Sequence, residues 1–225
     1  MPQIIAPLYR FIDIHTHKTE CPASVRVINI DQRQFQSTAP FPLHCSIGLH
    51  PWFLSAERLE TELSFLNHWT ASRNVLAIGE CGLDKNCKTD WQLQAKAFIA
   101  QIQLANALKK PLIIHCVKAF EEVVHLLKLY KNKVPVIFHG FNKKAAIADK
   151  LVKAGHYLSF GASLLQDKNI DAFLHCPFEK LFFETDDSPN EIHQVYEKAA
   201  SLLNMPLTVL AAQIEINLKK IKIAI

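Results

Sequence analysis

The 225-residue sequence lacks the features that mark secreted, membrane-spanning and disulfide-bonded proteins. Its N-terminus has no basic segment followed by an apolar one, as a secretory signal peptide would. No apolar run approaches the roughly 20 residues that span a bilayer. Its six cysteines include no C-x-x-C pair, which favours reduced thiols over a disulfide framework. We therefore expect a cytoplasmic protein that does not associate with a membrane.

The sequence also lacks blocks of like charge, low-complexity segments, internal repeats and linkers. Its formal net charge of +4 is compatible with a polyanionic partner but does not require one. With 49% hydrophobic and 20% charged residues, the composition is that of an ordinary globular protein. We expect one domain over residues 1–225, and no feature predicts a stable protein partner.

What the sequence does contain is an alternation of short apolar runs with helical patterns. The runs predict strands over residues 11–15, 25–30, 43–49, 74–79, 112–115, 134–138, 156–160 and 180–184. Helical patterns follow residue types that cap helix N-termini: Thr89 or Asp90 for one helix, Asn142 for another and Ser188 for a third. The stretch Ser188–Glu191 has the spacing of a capping box, with Pro189 at the first helical position.

Strands separated by helices indicate a parallel sheet wrapped in helices. Eight of them predict an α/β protein with a TIM-barrel-like (β/α)8 fold. The first two predicted strands leave little room for a helix between them, so we expect the first third to be short or distorted. A doubly wound open sheet is the structural alternative, but no glycine-rich phosphate loop follows the first strand.

The first apolar run ends in two histidines, His15 and His17, two residues apart. Side chains alternate along a strand, so both imidazoles point to the same side and can hold one metal ion. Further ligand-type residues end other apolar runs: Glu80, His115, His139 and Asp186. The carboxyl ends of all strands of a barrel meet on one face. We therefore expect these six side chains to converge.

Imidazoles and carboxylates together suit Zn²⁺, Mn²⁺, Fe²⁺ or Ni²⁺ more than Ca²⁺. Six ligands are too many for one tetrahedral catalytic ion and about right for two. Glu80 is expected to bridge the ions, with His15, His17 and Asp186 at one and His115 and His139 at the other. Two ions can activate a water for hydrolysis, and Asp186 is placed to act as general base.

Six motifs follow one another along the chain: I-D-I-H-T-H, G-L-H-P, I-G-E-C-G-L-D, P-L-I-I-H, F-H-G-F and E-T-D-D-S-P. With them the sequence resembles the TatD-type metal-dependent deoxyribonuclease family of the amidohydrolase superfamily. The resemblance implies a TIM-barrel-like fold, a divalent metal pair, and phosphodiester hydrolysis in DNA with 3′–5′ exonuclease activity. It places the family's ligands on the same six residues, places His50 at the substrate phosphate, and adds Mg²⁺ to the candidate ions.

The sequence departs from the family around the predicted ligands. Lys85 stands where the family often has tyrosine, Lys118 lies near a position where it often has arginine, and the segment 17–48 is shorter than usual. These departures bear on the substrate more than on the metals. Two alternatives therefore accompany the nuclease hypothesis: a metallohydrolase of a small-molecule ester, amide or phosphoester, and a binding scaffold without catalysis.

Overall fold

The structure, a computed structural model, describes residues 10–19, 24–35 and 42–223. Its core is one sheet of eight strands, in which each strand pairs in parallel with the next along the chain. The strands are β1 (Phe11–Thr16), β2 (Ser24–Asp31), β3 (Cys45–Gly48), β4 (Val75–Asp84), β5 (Leu112–Val117), β6 (Val136–Phe138), β7 (Tyr157–Phe160) and β8 (Leu181–Phe183).

The sheet closes between β1 and the residues that follow β8. The amide of Asp186 donates to the carbonyl of His15 at 3.0 Å, and the amide of His17 donates to the carbonyl of Asp186 at 3.2 Å. A parallel bridge joins Thr16 with Asp186. The closure excludes an open doubly wound sheet and confirms the predicted TIM-barrel-like fold.

Helices cover the barrel unevenly. They are α1 (Leu59–Trp69), α2 (Trp91–Leu108), α3 (Phe120–Leu129), α4 (Ala145–Lys153), α5 (Ala162–Leu165), α6 (Ile170–His175), α7 (Ile192–Leu202) and α8 (Leu207–Lys220). In the described parts of the two connections that link β1 to β2 and β2 to β3, the only helical element is the 3₁₀ turn Gln32–Gln34. The first third of the barrel is therefore abbreviated, as the sequence predicts.

Two apolar clusters fill the space between sheet and helices. The larger one spans the barrel and the helices from α2 onward. The smaller one joins β2 and β3 to α1, through Ile30, Ile47 and Leu66 among others. In it the ring of Phe35 stacks on that of Phe65, with centroids 4.3 Å apart. One helix thus covers two strands on the abbreviated side.

One of the three predicted helix caps is present. The carboxylate of Asp90 accepts a hydrogen bond of 2.9 Å from the amide of Leu93 and caps α2. Asn142 does not cap, because α4 begins three residues later, after Lys144. That prediction was wrong because the residues between Phe138 and α4 form an irregular segment that the apolar pattern did not reveal.

The predicted capping box at Ser188 was also wrong. The hydroxyl of Ser188 is engaged locally, since it donates to the side chain of Asn190 at 2.7 Å and accepts from its amide. The cap of α7 is Glu191, whose amide donates to the side chain of Gln194 at 2.9 Å. The helix therefore starts at Ile192, and Pro189 lies in the preceding turn.

Within the described residues, no single helix is both long and apolar enough to cross a bilayer. Taken together, α7 and α8 pass that test, but the pair is bent by 110° at the break between them.

Candidate metal centre

The six predicted ligand residues come together at the carboxyl end of the barrel. His15 lies at the end of β1, His17 just after it, His139 directly after β6, and Asp186 three residues after β8. Glu80 and His115, however, lie inside their strands, which corrects their expected place at strand ends. The reason is that β4 and β5 stay paired as far as Asp84 and Val117.

The carboxylate of Glu80 is the centre of the cluster. Its Oε1 lies 2.8 Å from Nδ1 of His115 and 2.6 Å from Nε2 of His139. The same oxygen lies 3.1 Å from Nε2 of His50. Its Oε2 lies 3.4 Å from Nε2 of His15. Side chains from four separate strands or strand ends therefore meet at one carboxylate.

Two glycines allow Glu80 to reach this position. A Cβ on Gly79 would lie 2.4 Å from the carbonyl oxygen of Ile113, and a Cβ on Gly82 would lie 2.0 Å from that of His115. Both glycines have positive φ, +149° and +143°, which L side chains rarely adopt. Close approach of β4 to β5 thus requires glycine on either side of the Glu80–Cys81 pair.

Asp186 joins the cluster through the closure of the barrel. Its Oδ1 lies 3.5 Å from Nε2 of His15 and 3.6 Å from Nε2 of His17. Its backbone adopts φ +54°, the left-handed region that aspartate tolerates better than most residues. The hydrogen bonds that close the sheet therefore also fix this carboxylate beside the two histidines.

Both central carboxylates are held in the ionised form. Burial by itself raises the pKa of Glu80, but the charge of His139 and hydrogen bonds from the surrounding histidines outweigh burial and hold the pKa well below its usual range. For Asp186, burial is likewise outweighed by the hydrogen bond and charge of His15, and the pKa falls to about 2. The site therefore carries negative charge that calls for cations.

The histidines respond in opposite ways. Burial and the charge of His139 lower the pKa of His15, but hydrogen bonds to Asp186 and Glu80 prevail and raise it to about 9. Burial lowers the pKa of His17 and of His50. In the absence of a metal, the proton on His15 thus balances part of the carboxylate charge.

The donor atoms fit a divalent cation. His15 is 0% exposed, yet its Nδ1 has no hydrogen-bond partner, and its Nε2 has only long contacts of 3.4 and 3.5 Å with the carboxylates of Glu80 and Asp186. Nδ1 of His139 likewise has only a contact of 3.5 Å, with Glu184. Buried polar atoms are nearly always paired, so these nitrogens point to a missing partner. Three sets of donor atoms each lie within 4.8 Å of one another: those of His15, His17 and Glu80, of His15, His139 and Asp186, and of His50, Glu80 and His115.

His50 differs from the other histidines in its hydrogen bonds. Its Nδ1 accepts a hydrogen bond of 3.1 Å from the amide of Trp52. The neutral ring therefore carries its proton on Nε2, which faces Glu80. A metal ligand needs a free lone pair on that nitrogen, so the hydrogen bonds favour His50 as a donor rather than as a ligand.

Two carboxylates that the sequence did not reveal, Asp84 and Glu184, contact the ring nitrogens of His115 and His139 that do not face Glu80. Oδ2 of Asp84 lies 3.0 Å from Nε2 of His115, and it also accepts from the indole nitrogen of Trp52 at 2.6 Å. Oε1 of Glu184 lies 3.5 Å from Nδ1 of His139. The alternation of side chains could have identified Asp84, because it lies four residues after Glu80 in one strand and faces the same side.

A cavity of about 280 Å³ opens above the cluster. Beyond the cluster residues, it is lined by Asp31, Arg33, Trp52, Phe53 and Asp187. Lys85 and Lys118, which the sequence analysis associated with specificity, are not among its lining residues. Lys85 pairs with Glu122 on the outside of the barrel, and Lys118 lines a groove beside α3 and α4.

A closed parallel barrel with a histidine–carboxylate cluster at its carboxyl end defines the class of barrel-fold metal-dependent hydrolases. The family model described as "TatD related DNase" matches residues 12–222. The chain belongs to this family, which confirms the resemblance of its motifs.

Relatives agree with this assignment. The chain is 30% identical over 197 residues to the "Uncharacterized metal-dependent hydrolase YabD" of Bacillus subtilis, covering 80% of this chain and 77% of YabD. It is 31% identical over 165 residues to the "3'-5' ssDNA/RNA exonuclease TatD" of Escherichia fergusonii, covering 69% of this chain and 63% of that protein.

Solved structures support the fold. The crystal structure of YjjV, a TatD homolog from Escherichia coli K12, superposes with a TM-score of 0.76 at 21% identity and covers 94% of this chain and 97% of that one. A TatD family hydrolase from Entamoeba histolytica has a TM-score of 0.76 at 14% identity, with 95% and 98% coverage.

Proposed function

We propose that the protein is a divalent-metal-dependent phosphodiesterase that hydrolyses DNA in the manner of a 3′–5′ exonuclease. The observation that carries the proposal is the gathering of histidines and acids around Glu80, with buried imidazole nitrogens that have no hydrogen-bond partner. Relatives named as 3′–5′ ssDNA/RNA exonucleases support a nucleic acid substrate. One domain over residues 1–225, a cytoplasmic location and action without a stable protein partner are part of the proposal.

The proposed site holds two divalent ions. Glu80 would contribute a ligand to both, with His15, His17 and Asp186 holding one ion and His115 and His139 holding the other. Nitrogen-rich ligands favour Zn²⁺, Mn²⁺ or Ni²⁺, and Mg²⁺ stays a candidate through the family. Divalent ions bound there would polarise the scissile phosphate and lower the pKa of a water molecule.

Asp186 is the proposed general base. Its side chain is 37% exposed and lines the cavity, so a substrate and a water can reach it. With a pKa of about 2 it is ionised at neutral pH and can accept the proton of an attacking water. Glu80 is buried instead, which suits the role of holding the centre together.

His50 is the proposed contact to the substrate phosphate. Because its Nδ1 accepts from Trp52, Nε2 is the protonated nitrogen. It faces Oε1 of Glu80 at 3.1 Å in this structure, and in the substrate complex a phosphate oxygen would take over that hydrogen bond. Burial lowers its pKa, so the ring is neutral at pH 7 and does not repel the metal ions.

The direct test uses protein purified without chelator. Its metal content is measured, and a 5′-labelled single-stranded oligonucleotide is then offered with Mg²⁺, Mn²⁺, Zn²⁺ or Ni²⁺. We expect a ladder that shortens from the 3′ end and disappears with EDTA. Asp186→Asn should lower kcat by about 10² to 10⁴ while metal remains bound. The control, Asp171→Asn, changes an exposed acid and should alter neither kcat nor the metal content. Absence of chelator-sensitive cleavage would refute the proposal.

One observation favours a second candidate, hydrolysis of a small-molecule ester, amide or phosphoester. The cavity of about 280 Å³ is of the size that holds a small ligand. A panel of such substrates, assayed beside the oligonucleotide, distinguishes the two functions by their kcat/KM.

A further inference from the structure

Resting on the proposed function, we propose that Arg33 binds a substrate phosphate beside the histidine–carboxylate cluster and makes this cavity selective for anionic esters. Arg33 lies in the 3₁₀ turn that follows β2. No sequence motif singled it out, because it lies in the abbreviated connection and outside the six motifs.

Arg33 is the only lysine or arginine among the described residues that line the cavity. The acids around it include Glu80, Asp186 and Asp187. A fixed positive charge beside these acids would lower the repulsion that a polyanionic substrate meets, in addition to the effect of the metal ions. The nearby cations Lys85 and Lys118 are turned toward other surfaces, so Arg33 is placed to supply that charge.

The guanidinium of Arg33 is held in one orientation. Its Nε donates to Oδ1 of Asp31 at 3.0 Å, and Nη2 donates to Oδ2 at 2.7 Å. Its Cζ also lies 3.6 Å from the centroid of the Phe53 ring. Of the five N–H groups, three remain free of Asp31, and the side chain is 57% exposed. A fixed fork whose remaining donors are not taken up by any residue that the structure describes matches the geometry of a phosphate.

Gln32, the residue before Arg33, fixes the backbone of His50. The side chain of Gln32 donates to the carbonyl of His50 at 2.9 Å and accepts from its amide at 2.8 Å. The turn after β2 and the turn after β3 are thereby tied together as one unit. Arg33 and His50 therefore stand in a fixed relation, and both line the cavity.

Electrostatic coupling agrees with this placement. The hydrogen bond to Asp31 raises the pKa of Arg33 most, and the charge of Glu80 raises it further. The Asp31–Arg33 pair therefore lies within the field of the metal centre, and a phosphate bound by Arg33 lies beside it.

The test compares Arg33→Gln with a matched control, Arg58→Gln. Arg58 is 60% exposed, pairs with Glu62 at 2.9 Å and donates to the carbonyl of Phe53 at 3.0 Å. Both variants remove one positive charge from an arginine near Phe53, but Arg58 does not line the cavity. Circular dichroism and metal content verify that each variant is folded and loaded.

We expect Arg33→Gln to raise KM for a dT oligonucleotide about tenfold or more, with kcat changed by less than about threefold, since a hydrogen bond to a charged group is lost. The slope of log KM against log salt should fall by about 0.7, the value for one phosphate contact on a single strand. Arg33→Lys should be intermediate, because it keeps the charge but not the fork. Arg58→Gln should leave KM and the salt slope unchanged.

Neutral methylphosphonate linkages, introduced one at a time, locate the contact. One position should weaken binding by the wild type about tenfold, and the same position should have no further effect in Arg33→Gln. If both proteins respond equally at every position, or if Arg33→Gln keeps the wild-type KM, Arg33 is a structural residue and the proposal is overturned.

Calorimetric titration with inorganic phosphate separates this proposal from the proposed function. If the wild type cleaves no DNA but binds phosphate about tenfold more tightly than Arg33→Gln, the phosphate site stands and the nuclease function fails. If the wild type cleaves DNA and both proteins bind phosphate equally, the function stands and the role of Arg33 fails.

Discussion

The barrel has an abbreviated side, β1 to β3, and a helix-covered side, β4 to β8, and both contribute to the metal centre. His15 and His17 come from the abbreviated side, and Glu80, His115 and His139 from the other. In the part of the chain that the structure describes, His15 and His17 therefore reach the cluster without a helix between β1 and β2, because the strands position them. What the short connection provides instead is a 3₁₀ turn at the mouth of the cavity.

The two sides also hold their histidines differently. On the helix-covered side, carboxylates contact the histidine rings: Asp84 contacts His115, and Glu184 contacts His139. On the abbreviated side, hydrogen bonds fix the backbone, through Gln32 at His50 and through Asp186 next to His15. The carboxylates act on the ring nitrogens directly, whereas the backbone hydrogen bonds fix where each ring stands.

The largest effect is expected at the residue where the two sides meet. Glu80→Gln keeps the size of the side chain but removes the charge that His15, His115 and His139 share. We expect kcat/KM to fall by about 10³ or more, and bound metal to be lost, because metal catalysis contributes several kcal/mol. Metal analysis by mass spectrometry and the oligonucleotide assay measure both.

Glu122→Gln is the matched control, since Glu122 is a partly exposed acid paired with Lys85. It should keep its metal and its activity. If Glu80→Gln retained two bound ions and full turnover, Glu80 would not bridge the halves of the site.

The next effect concerns the close approach of β4 and β5. Gly82→Ala places a Cβ 2.0 Å from the carbonyl oxygen of His115, at φ +143°. We expect a loss of about 3 kcal/mol or more in the free energy of unfolding, from overlap and backbone strain together. Gly155→Ala, at φ +92° with no atom within 4 Å, should cost only about 1 kcal/mol. Equal denaturation midpoints for the two variants would contradict the packing described.

An acid-dependent effect is expected on the helix-covered side, away from the metal centre. Burial, with a smaller contribution from Lys180, lowers the pKa of His156 to about 4. The folded state therefore takes up this proton less readily than the unfolded state, whose histidine has an ordinary pKa of about 6.5. Stability is full above pH 6.5 and falls as the pH drops toward 4, by about 3 kcal/mol from this group.

The measurement is urea unfolding of the EDTA-treated protein between pH 7 and pH 4. Across this range, the free energy of unfolding of His156→Gln should fall by about 3 kcal/mol less than that of the wild type. The other histidines contribute equally to both proteins, so their effects cancel when the two curves are subtracted. His125→Gln, at an exposed histidine of α3, should follow the wild type. Parallel curves for wild type and His156→Gln would contradict the assignment.

The smallest effect is expected on the abbreviated side. Gln32→Met keeps the length of the side chain but leaves the amide of His50 without its partner, and the carbonyl of His50 then accepts only from the amide of Phe53. We expect a loss of about 2 kcal/mol in the free energy of unfolding, the cost of unpaired buried polar groups. Gln103→Met, on the exposed face of α2, is the control and should change stability little. A neutral Gln32→Met would show that the two turns are not tied together.

The sequence predicts the barrel and the converging residues well, because each ligand-type residue ends or lies within an apolar run. This pattern identifies His15, His139 and Asp186 as site residues before any distance between their side chains is known. Their roles as metal ligands stay predictions. Gln32 and Arg33 are not found, since their importance comes from contacts with His50 and Phe53, which lie about twenty residues away in sequence.

Helix starts are the less predictable part. Ser188 is a residue type that commonly caps helices and Glu191 is not, and the sequence alone does not reveal that Ser188 pairs with Asn190. The ends of β4 and β5 are missed for a similar reason, because the pairing that extends them depends on glycines whose Cβ-free backbone permits the approach.

The central claim is that one carboxylate, Glu80, joins ligands from both sides of the barrel around a pair of cations. An anomalous difference map from crystals grown with Mn²⁺ tests it most directly. We expect two peaks about 3.5–4 Å apart, one on each side of Glu80, with His17 near one and His115 near the other. A map with no peak at Glu80, or with a single ion held away from it, would contradict the account.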